Sequence, residues 1–275
     1  MTMKTLCFIG GGNMARSLIG GLLTDGYDPQ AIRVAEPDAG KREDLANRFG
    51  VRVHEDNLEA AANAQAVILA VKPQVIRPVC EQLAGAEAGK GRVYISIAAG
   101  VREPDLTRWL GGSAAVVRTM PNTPSLVGTG ATALYANPQV SEPQRELAES
   151  LMRAVGLVVW LDDETQMDTV TAVSGSGPAY FFLLMEAIEE AAREQGLPAE
   201  TARLLTIETA LGAAKMALES DESPGQLRQR VTSPGGTTEH ALHLLEDGEY
   251  RTLMARAVKA AAQRARELGQ MLGEQ

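Results

Sequence analysis

The stretch Phe8-Ile9-Gly10-Gly11-Gly12-Asn13-Met14-Ala15 decides how the fold of this chain is read. It closes an apolar run, Thr5–Ile9, and opens a helical stretch, Met14–Leu23. Within it, Gly10-x-Gly12-x-x-Ala15 matches the dinucleotide pattern G-x-G-x-x-G/A. The first glycine makes a tight turn, the second lets the backbone approach a pyrophosphate, and the small third residue lets helix and strand pack closely. The helix N-terminus then offers unpaired N–H groups to the phosphates. Alone the pattern is weak; on the first strand, ahead of a βαβ series, it is strong.

That series follows. Short apolar runs at Ile32–Ala35, Val51–Val53, Ala66–Val71, Val93–Ile97 and Ala115–Arg118 alternate with helical stretches such as Lys41–Phe49. Two more runs, Ala131–Tyr135 and Leu157–Leu161, extend the sheet. In Ser141–Val155, Leu147, Leu151 and Val155 fall at i, i+4, i+8 and predict an amphipathic helix. After about Asp163 the strands stop. The expected architecture is an α/β, Rossmann-like doubly wound domain over residues 1–162, followed by an all-α domain over 163–275.

The second strand ends in Val34-Ala35-Glu36-Pro37-Asp38. An acidic residue there accepts hydrogen bonds from a ribose 2′-OH and repels a 2′-phosphate, so Glu36 taken alone favours NAD over NADP. Lys41 and Arg42 follow closely enough to offset part of that repulsion. Ala70-Val71-Lys72-Pro73-Gln74 closes the fourth strand and Ser96-Ile97-Ala98-Ala99-Gly100 the fifth, which puts both where a nicotinamide and its ribose would sit.

The composition narrows the function. Lys and Arg total 26 against 35 Asp and Glu, a formal charge of −9. This argues against a nucleic-acid partner and against a polybasic membrane surface. No apolar run reaches the ~20 residues of a membrane span. The opening Met-Thr-Met-Lys-Thr-Leu lacks the apolar stretch of a signal peptide. Two cysteines, Cys7 and Cys80, exclude a disulfide framework, and a cytoplasmic location is expected. Three histidines, His54, His240 and His243, are too few and scattered for a zinc site, so no metal is expected.

In the helical half, Phe181, Leu184, Met185 and Ile188 mark one amphipathic helix. A second runs from Pro198 to Glu219. Its segment Thr209–Leu218 is rich in small residues and carries one lysine, Lys215. Such a segment is either a subunit interface or the centre of its own bundle. Two loops are unusual. Val173-Ser174-Gly175-Ser176-Gly177-Pro178-Ala179-Tyr180 precedes a long helix, with Pro178 suited to the first turn. Val231-Thr232-Ser233-Pro234-Gly235-Gly236-Thr237-Thr238-Glu239 leads into a helix over Glu239–Glu246 and has the composition of an anion-binding nest.

A dinucleotide turn and a hydroxyl-lined anion pocket together imply hydride transfer to a small carboxylate-bearing substrate. Reducing a ketone usually needs a proton donor at the oxygen. A protonated C=N bond already carries its proton, and a hydroxyl such as that of Thr238 is enough to orient the N–H.

The chain resembles the pyrroline-5-carboxylate reductases over essentially its full length. The match is carried by Phe8–Ala15, Val71-Lys72-Pro73-Gln74, Ala98-Ala99-Gly100, Met120-Pro121-Asn122-Thr123-Pro124, Ala172–Tyr180 and, most specifically, Val231–Ala241. The resemblance implies reduction of 1-pyrroline-5-carboxylate to L-proline with NADP or NAD, in reduced form, as hydride donor. It also implies that the all-α domain is a dimerisation domain, with intertwined homodimers often assembled as decamers of five dimers. By position it places Ser233, Gly235, Gly236, Thr237 and Thr238 on the substrate, with the partner subunit contributing. The N–H groups near Gly236 and Thr237 would hold the carboxylate, and Thr238 would bond the ring nitrogen. Ile9, Gly10, Gly11, Gly12, Asn13 and Met14 would cradle the pyrophosphate. Asn57, Ala70, Val71, Lys72 and Pro73 would line the adenosine and nicotinamide ends. An acidic group before Pro224, either Asp221 or Glu222, would approach the substrate. Many relatives prefer NADPH and carry small polar or basic residues where this chain has Glu36.

Two rivals bound the reading. A β-hydroxyacid dehydrogenase would show a lysine on a long central helix, and Tyr180–Gln195 has none. A nucleotide sensor without turnover would have no use for the Ser233–Thr238 loop.

Overall fold

The computed structural model describes residues 4–85 and 91–274; the Met1–Met3 part of the opening segment lies outside them. Eight strands form one sheet: β1 (Leu6–Ile9), β2 (Ile32–Ala35), β3 (Arg52–His54), β4 (Ala66–Leu69), β5 (Val93–Ser96), β6 (Ala115–Met120), β7 (Gly130–Ala136) and β8 (Gly156–Trp160). Their order is β3-β2-β1-β4-β5-β6-β7-β8. All neighbours pair in parallel except β6 and β7, which are antiparallel.

The parallel strands are apolar on both sides because both sides are covered. Leu6, Phe8, Ile68 and Ile95 point into one core layer. That layer is closed by α1 (Asn13–Thr24), α2 (Ala39–Phe49) and α6 (Glu142–Arg153) through Leu18, Leu45 and Leu151. Cys7, Ile9, Val67 and Leu69 point into the other. It is closed by α3 (Asn57–Ala61), α4 (Ile76–Ala84) and α5 (Glu103–Trp109) through Ala60, Leu83 and Leu106. Each fully buried large aliphatic side chain is worth about 1.5–3 kcal/mol relative to exposure. The chain winds outward from β1 in one direction and from β4 in the other, so β1 and β4 flank the switch in strand order. Ligands of such sheets bind beyond the carboxyl ends of the strands there.

The α6 helix starts as its sequence predicts. Ser141 and Gln144 form a reciprocal capping box.

The remaining elements are α7 (Met167–Val170), a π-helical turn (Thr171–Gly175), α8 (Gly177–Glu194), α9 (Ala199–Glu219), α10 (Pro224–Arg230), α11 (Thr237–Asp247) and α12 (Tyr250–Glu274). Two compact units result. The first takes the chain up to Ser176 and again from Ala260; the second is Gly177–Lys259.

Within the first unit, the end of α12 closes on the loop after β5. Leu272 joins the core layer of Cys7 and Ile9. A Cβ on Gly269 would lie 3.1 Å from the Gly100 carbonyl, and one on Gly273 would lie 2.5 Å from the Asp105 carboxylate. Arg102 and Arg108 donate to the carbonyls of Arg266 and Gly273. Within the second unit, α8 packs on α9. Leu204, Leu205, Leu211, Met216 and Leu218 of α9 are nevertheless exposed, so α9 is not the buried centre of its own bundle.

Candidate functional site

The Gly10–Met14 turn leaves β1 beside β4. Gly10 has φ +99°, and a Cβ there would stand 2.7 Å from the Ala70 carbonyl oxygen. Its N–H donates to the Ala35 carbonyl on β2. This is the tight-turn glycine, and the backbone just beyond β4 is what forbids a side chain. Gly11 is buried under Leu45, whose Cδ1 a Cβ would meet at 2.5 Å. Arg16 clamps the turn from α1 by donating to the Gly11 carbonyl and pairing with Asp44.

Gly12 behaves differently. It is exposed, its backbone is extended, and a Cβ there would meet nothing within 4 Å. It is the N-cap of α1, where no side chain caps the helix and no acidic residue occupies the first turn. A helix N-terminus left in this state favours an anion. The open space over Gly12 and the uncapped amides behind it fit a dinucleotide pyrophosphate.

Glu36 is only 7% exposed. Its Oε2 accepts from Gly11 N–H at 2.9 Å and its Oε1 from Asp38 N–H at 3.2 Å. The second strand is thereby tied to the glycine turn through a side chain. Arg42 donates to the carbonyls of Glu36 and Pro37 and reaches the Glu55 carboxylate. Asn57 opens α3, and its side-chain amide donates to Gln82 on α4. On β4 and beyond, Ala70 N–H donates to Ile9, Lys72 is exposed, and Pro73 starts a short 3-10 turn. Ala98 is buried after β5.

The Met120–Pro124 segment docks on the π-helical turn. Asn122 donates to the Ser174 carbonyl and accepts from Ala131 N–H. A Cβ on Gly175 would meet the Met120 methyl at 2.5 Å. The Val173–Gly175 stretch, read from sequence as loop, is thus helical. Ser176 N–H reaches back five residues to the Thr171 carbonyl, which the small residues permit. Pro178 does stand in the first turn of α8.

In the second unit, α11 begins at Thr237, two residues before the predicted Glu239. Gly236 is its N-cap, with N–H donating to the Ser233 carbonyl. Gly235 has φ +71° and donates to the Glu239 carboxylate at 2.7 Å. Those two bonds close the turn and let the helix start early, so Thr237 and Thr238 lie in its first turn. No side chain caps Gly236. The result is a second helix N-terminus without a side-chain cap, with Ser233 in the turn before it and Thr237, Thr238 and the acidic Glu239 in its first turn. Glu222 pairs with Arg230, whereas Asp221 makes no ion pair among the described residues.

Burial pushes both thiols, Cys7 and Cys80, up to about 12. Both are free and buried, and burial keeps them protonated at neutral pH.

What the sequence reading missed is the seat of α12 on the Gly100 loop. Its signal was present: Gly269 and Gly273 fall at i, i+4 on one helix face with Leu272 beside them.

Two family models match different parts of the chain. Residues 164–268 match a model described as pyrroline-5-carboxylate reductase dimerisation. Residues 5–100 match one described as NADP oxidoreductase, coenzyme F420-dependent. A pyrroline-5-carboxylate reductase of Pseudomonas aeruginosa is 51% identical over 274 residues, covering 100% of both chains. The structure of such a reductase from Coxiella burnetii superposes with a TM-score of 0.94 at 51% identity, over 97% of this chain and 99% of that one. The Plasmodium falciparum pyrroline carboxylate reductase, solved with NADP bound, gives a TM-score of 0.85 at 27% identity, over 98% and 99%.

Proposed function

This chain belongs to the pyrroline-5-carboxylate reductase family, and from that we infer that it transfers hydride from NAD(P)H to the C=N bond of 1-pyrroline-5-carboxylate, yielding L-proline as the last step of proline synthesis. The observation that carries the reading is the Ser233–Thr238 turn. The doubly wound sheet serves many dehydrogenases. A helix N-terminus without a side-chain cap, in a segment that carries the hydroxyl residues Ser233, Thr237 and Thr238, suits a small anionic substrate with a polar N–H.

When bound, the reduced nicotinamide supplies the hydride. The chain's own residues do the rest. The α1 amides at Asn13 and Met14, with Ile9 through Gly12, hold the pyrophosphate. Glu36 and Asn57 lie on the adenosine side, and Ala70, Val71, Lys72, Pro73 and Ala98 line the nicotinamide side. The N–H groups around Gly236 and Thr237, with Ser233 and Gly235 shaping the turn, bind the carboxylate. Thr238 Oγ accepts from the imine N–H and so fixes which face of the ring the hydride meets. The substrate nitrogen already bears its proton, so no acidic side chain is needed at the reacting carbon. Asp221, free of ion pairs among the described residues, is the acidic group assigned to the substrate side.

The enzyme is oligomeric. We assign residues 1–162 to cofactor binding and residues 163–275 to substrate binding and homodimerisation, with five dimers as the larger assembly. The exposed leucines of α8 and α9 support a partner on that surface. A cytoplasmic location accords with two unpaired buried thiols. No nucleic-acid or membrane partner belongs to this reading. Among the described residues no helix is long and apolar enough to cross a membrane.

The test is oxidation of NADH and of NADPH, separately, with 1-pyrroline-5-carboxylate as acceptor and proline as the measured product. Loss of either cofactor with stoichiometric proline supports the assignment. Binding of cofactor without turnover on any cyclic imine would replace it with the sensor reading.

A further inference from the structure

We propose that the end of α12 is a positioning element for the cofactor: Gly269 and Leu272 hold the Gly100 loop at the height from which it meets the nicotinamide end. The proposal rests on the reading above that a dinucleotide lies across the carboxyl ends of β1, β4 and β5.

The loop leaves β5 with little of its own to fix it. Ala98 N–H donates to Ser96 Oγ at 3.3 Å, and Ala98 and Val101 are buried in the core layer of Cys7 and Ile9. Between them the chain turns outward and Ala99 is exposed. Among the described residues no protein hydrogen bond reaches the N–H or the carbonyl of Ala99 or Gly100. Free backbone groups just beyond a parallel strand are available to a ligand. With no hydrogen bond to place them, packing decides where they stand.

That packing comes from α12. A Cβ on Gly100 would lie 3.3 Å from Leu272 Cδ1. Gly269 is buried, and a Cβ on it would lie 3.1 Å from the Gly100 carbonyl oxygen. Helix backbone therefore rests on loop backbone at this point, with no side chain between them to absorb a shift. The helix is the firmer partner. Arg102, at the start of α5, donates to the Arg266 carbonyl at 3.3 Å, and Arg108 donates to the Gly273 carbonyl at 3.0 Å. Arg266 also lies 3.7 Å from the Asp168 carboxylate. A larger residue at 269 thus displaces the loop before it displaces the helix.

Gly273 supplies the contrast. A Cβ there would meet the Asp105 carboxylate at 2.5 Å, the far end of a side chain on α5 that is free to rotate. The same helix end carries one glycine against the loop and one against a side chain elsewhere.

NADH and NADPH are titrated by nicotinamide fluorescence into the full-length wild type, Gly269→Val, Leu272→Ala, Leu272→Met and Gly273→Ala. Gly269→Val and Leu272→Ala are expected to raise the cofactor Kd by about 2–30-fold, the span of coupling through packed contacts. Leu272→Met, which conserves volume, and Gly273→Ala are expected to bind within about twofold of wild type. In steady-state kinetics the KM for cofactor rises in the first two variants while the KM for the imine holds, a split that loss of folded protein does not produce. An unmoved Kd in both Gly269→Val and Leu272→Ala overturns the proposal. Equal weakening by Gly273→Ala overturns it too, because it would mark a general loosening of α12. If the variants do not fold, amide hydrogen exchange of the wild type decides. Coupling is reciprocal, so bound cofactor is expected to slow exchange over residues 266–273, and unchanged exchange there overturns the proposal. Failure of the wild type to bind either cofactor would instead overturn the dinucleotide reading.

Discussion

Gly12→Ala separates the site from the scaffold. In the folded chain the new Cβ meets nothing within 4 Å, and the backbone at φ −71°, ψ −178° suits any residue. Alanine is a poorer N-cap than glycine by some tenths of a kcal/mol, while loss of glycine's freedom in the unfolded chain returns about 0.4–1 kcal/mol. The two terms nearly cancel. With about 2.1 cal/mol/K per residue of unfolding entropy and 275 residues, 1 kcal/mol is worth about 1.7 °C, so the Tm without cofactor should stay within about 1–2 °C of wild type.

The cofactor complex fares differently, because the methyl group enters the space assigned to the pyrophosphate. Overpacking of this kind costs about 1–3 kcal/mol, or roughly 5–150-fold in Kd. Ligand stabilisation then shrinks in a calculable way. At a cofactor concentration of about 100 times the wild-type Kd, binding stabilises the wild type by about 2.7 kcal/mol, near 5 °C. A variant with thirtyfold weaker binding gains only about 0.9 kcal/mol, near 1.5 °C. Thermal unfolding with and without NADH or NADPH, beside a fluorescence titration, gives both numbers. An unchanged Kd would show that the pyrophosphate does not pass over Gly12. A drop of more than about 5 °C in the cofactor-free protein would show that the space is not open.

Other expectations follow from the same geometry. Thr238→Ala should lower kcat/KM by roughly 10–150-fold through loss of a hydrogen bond of about 1.5–3 kcal/mol to a charged group; steady-state kinetics with unaltered kcat/KM would remove Thr238 from the reaction. Leu211→Lys, on the exposed apolar face of α9, should shift the mass measured by light scattering toward the single chain, and an unaltered mass would place the interface elsewhere. Cys7 and Cys80 should resist a thiol reagent at pH 8 and react on unfolding, since burial raises both to about 12; fast labelling of the native protein would contradict their placement. The sign of the linked stability is fixed as well. Between about pH 9 and pH 12 the unfolded thiols lose protons that the folded ones keep, so stability falls as pH rises through that window, by about 1.4 kcal/mol per thiol per pH unit.

Local periodicity made the sheet legible. Runs such as Ala66–Leu69 are apolar throughout because both faces are covered, and Gly10 announces the turn because only a residue without a side chain fits against Ala70. The strand ends were less so: Val71 and Ile97 read as sheet but lie beyond β4 and β5, where the backbone turns into the following loops. The antiparallel direction of β7 leaves no mark in its composition, since it depends on the Thr123–Val127 turn and on pairing with β6. The early start of α11 rests on Glu239 reaching Gly235, a contact that a tally of residue types does not foresee. The same holds for Glu36. Its charge and place were plain, but its capture by the Gly11 amide is a tertiary fact. The seat of α12 was hidden most deeply, because the residues it joins lie more than 160 positions apart.

That last contact has a consequence for how the protein is made. The sheet unit takes its final segment, from Ala260 onward, only after the whole of Gly177–Lys259 has been synthesised. At ~5–20 residues per second the ribosome needs roughly 4–17 s to cover that interval. Through that wait the nascent sheet holds the Gly100 loop and the floor beneath Leu272 uncovered. The sheet unit is therefore completed late, by a segment that is made only after the second unit has been synthesised.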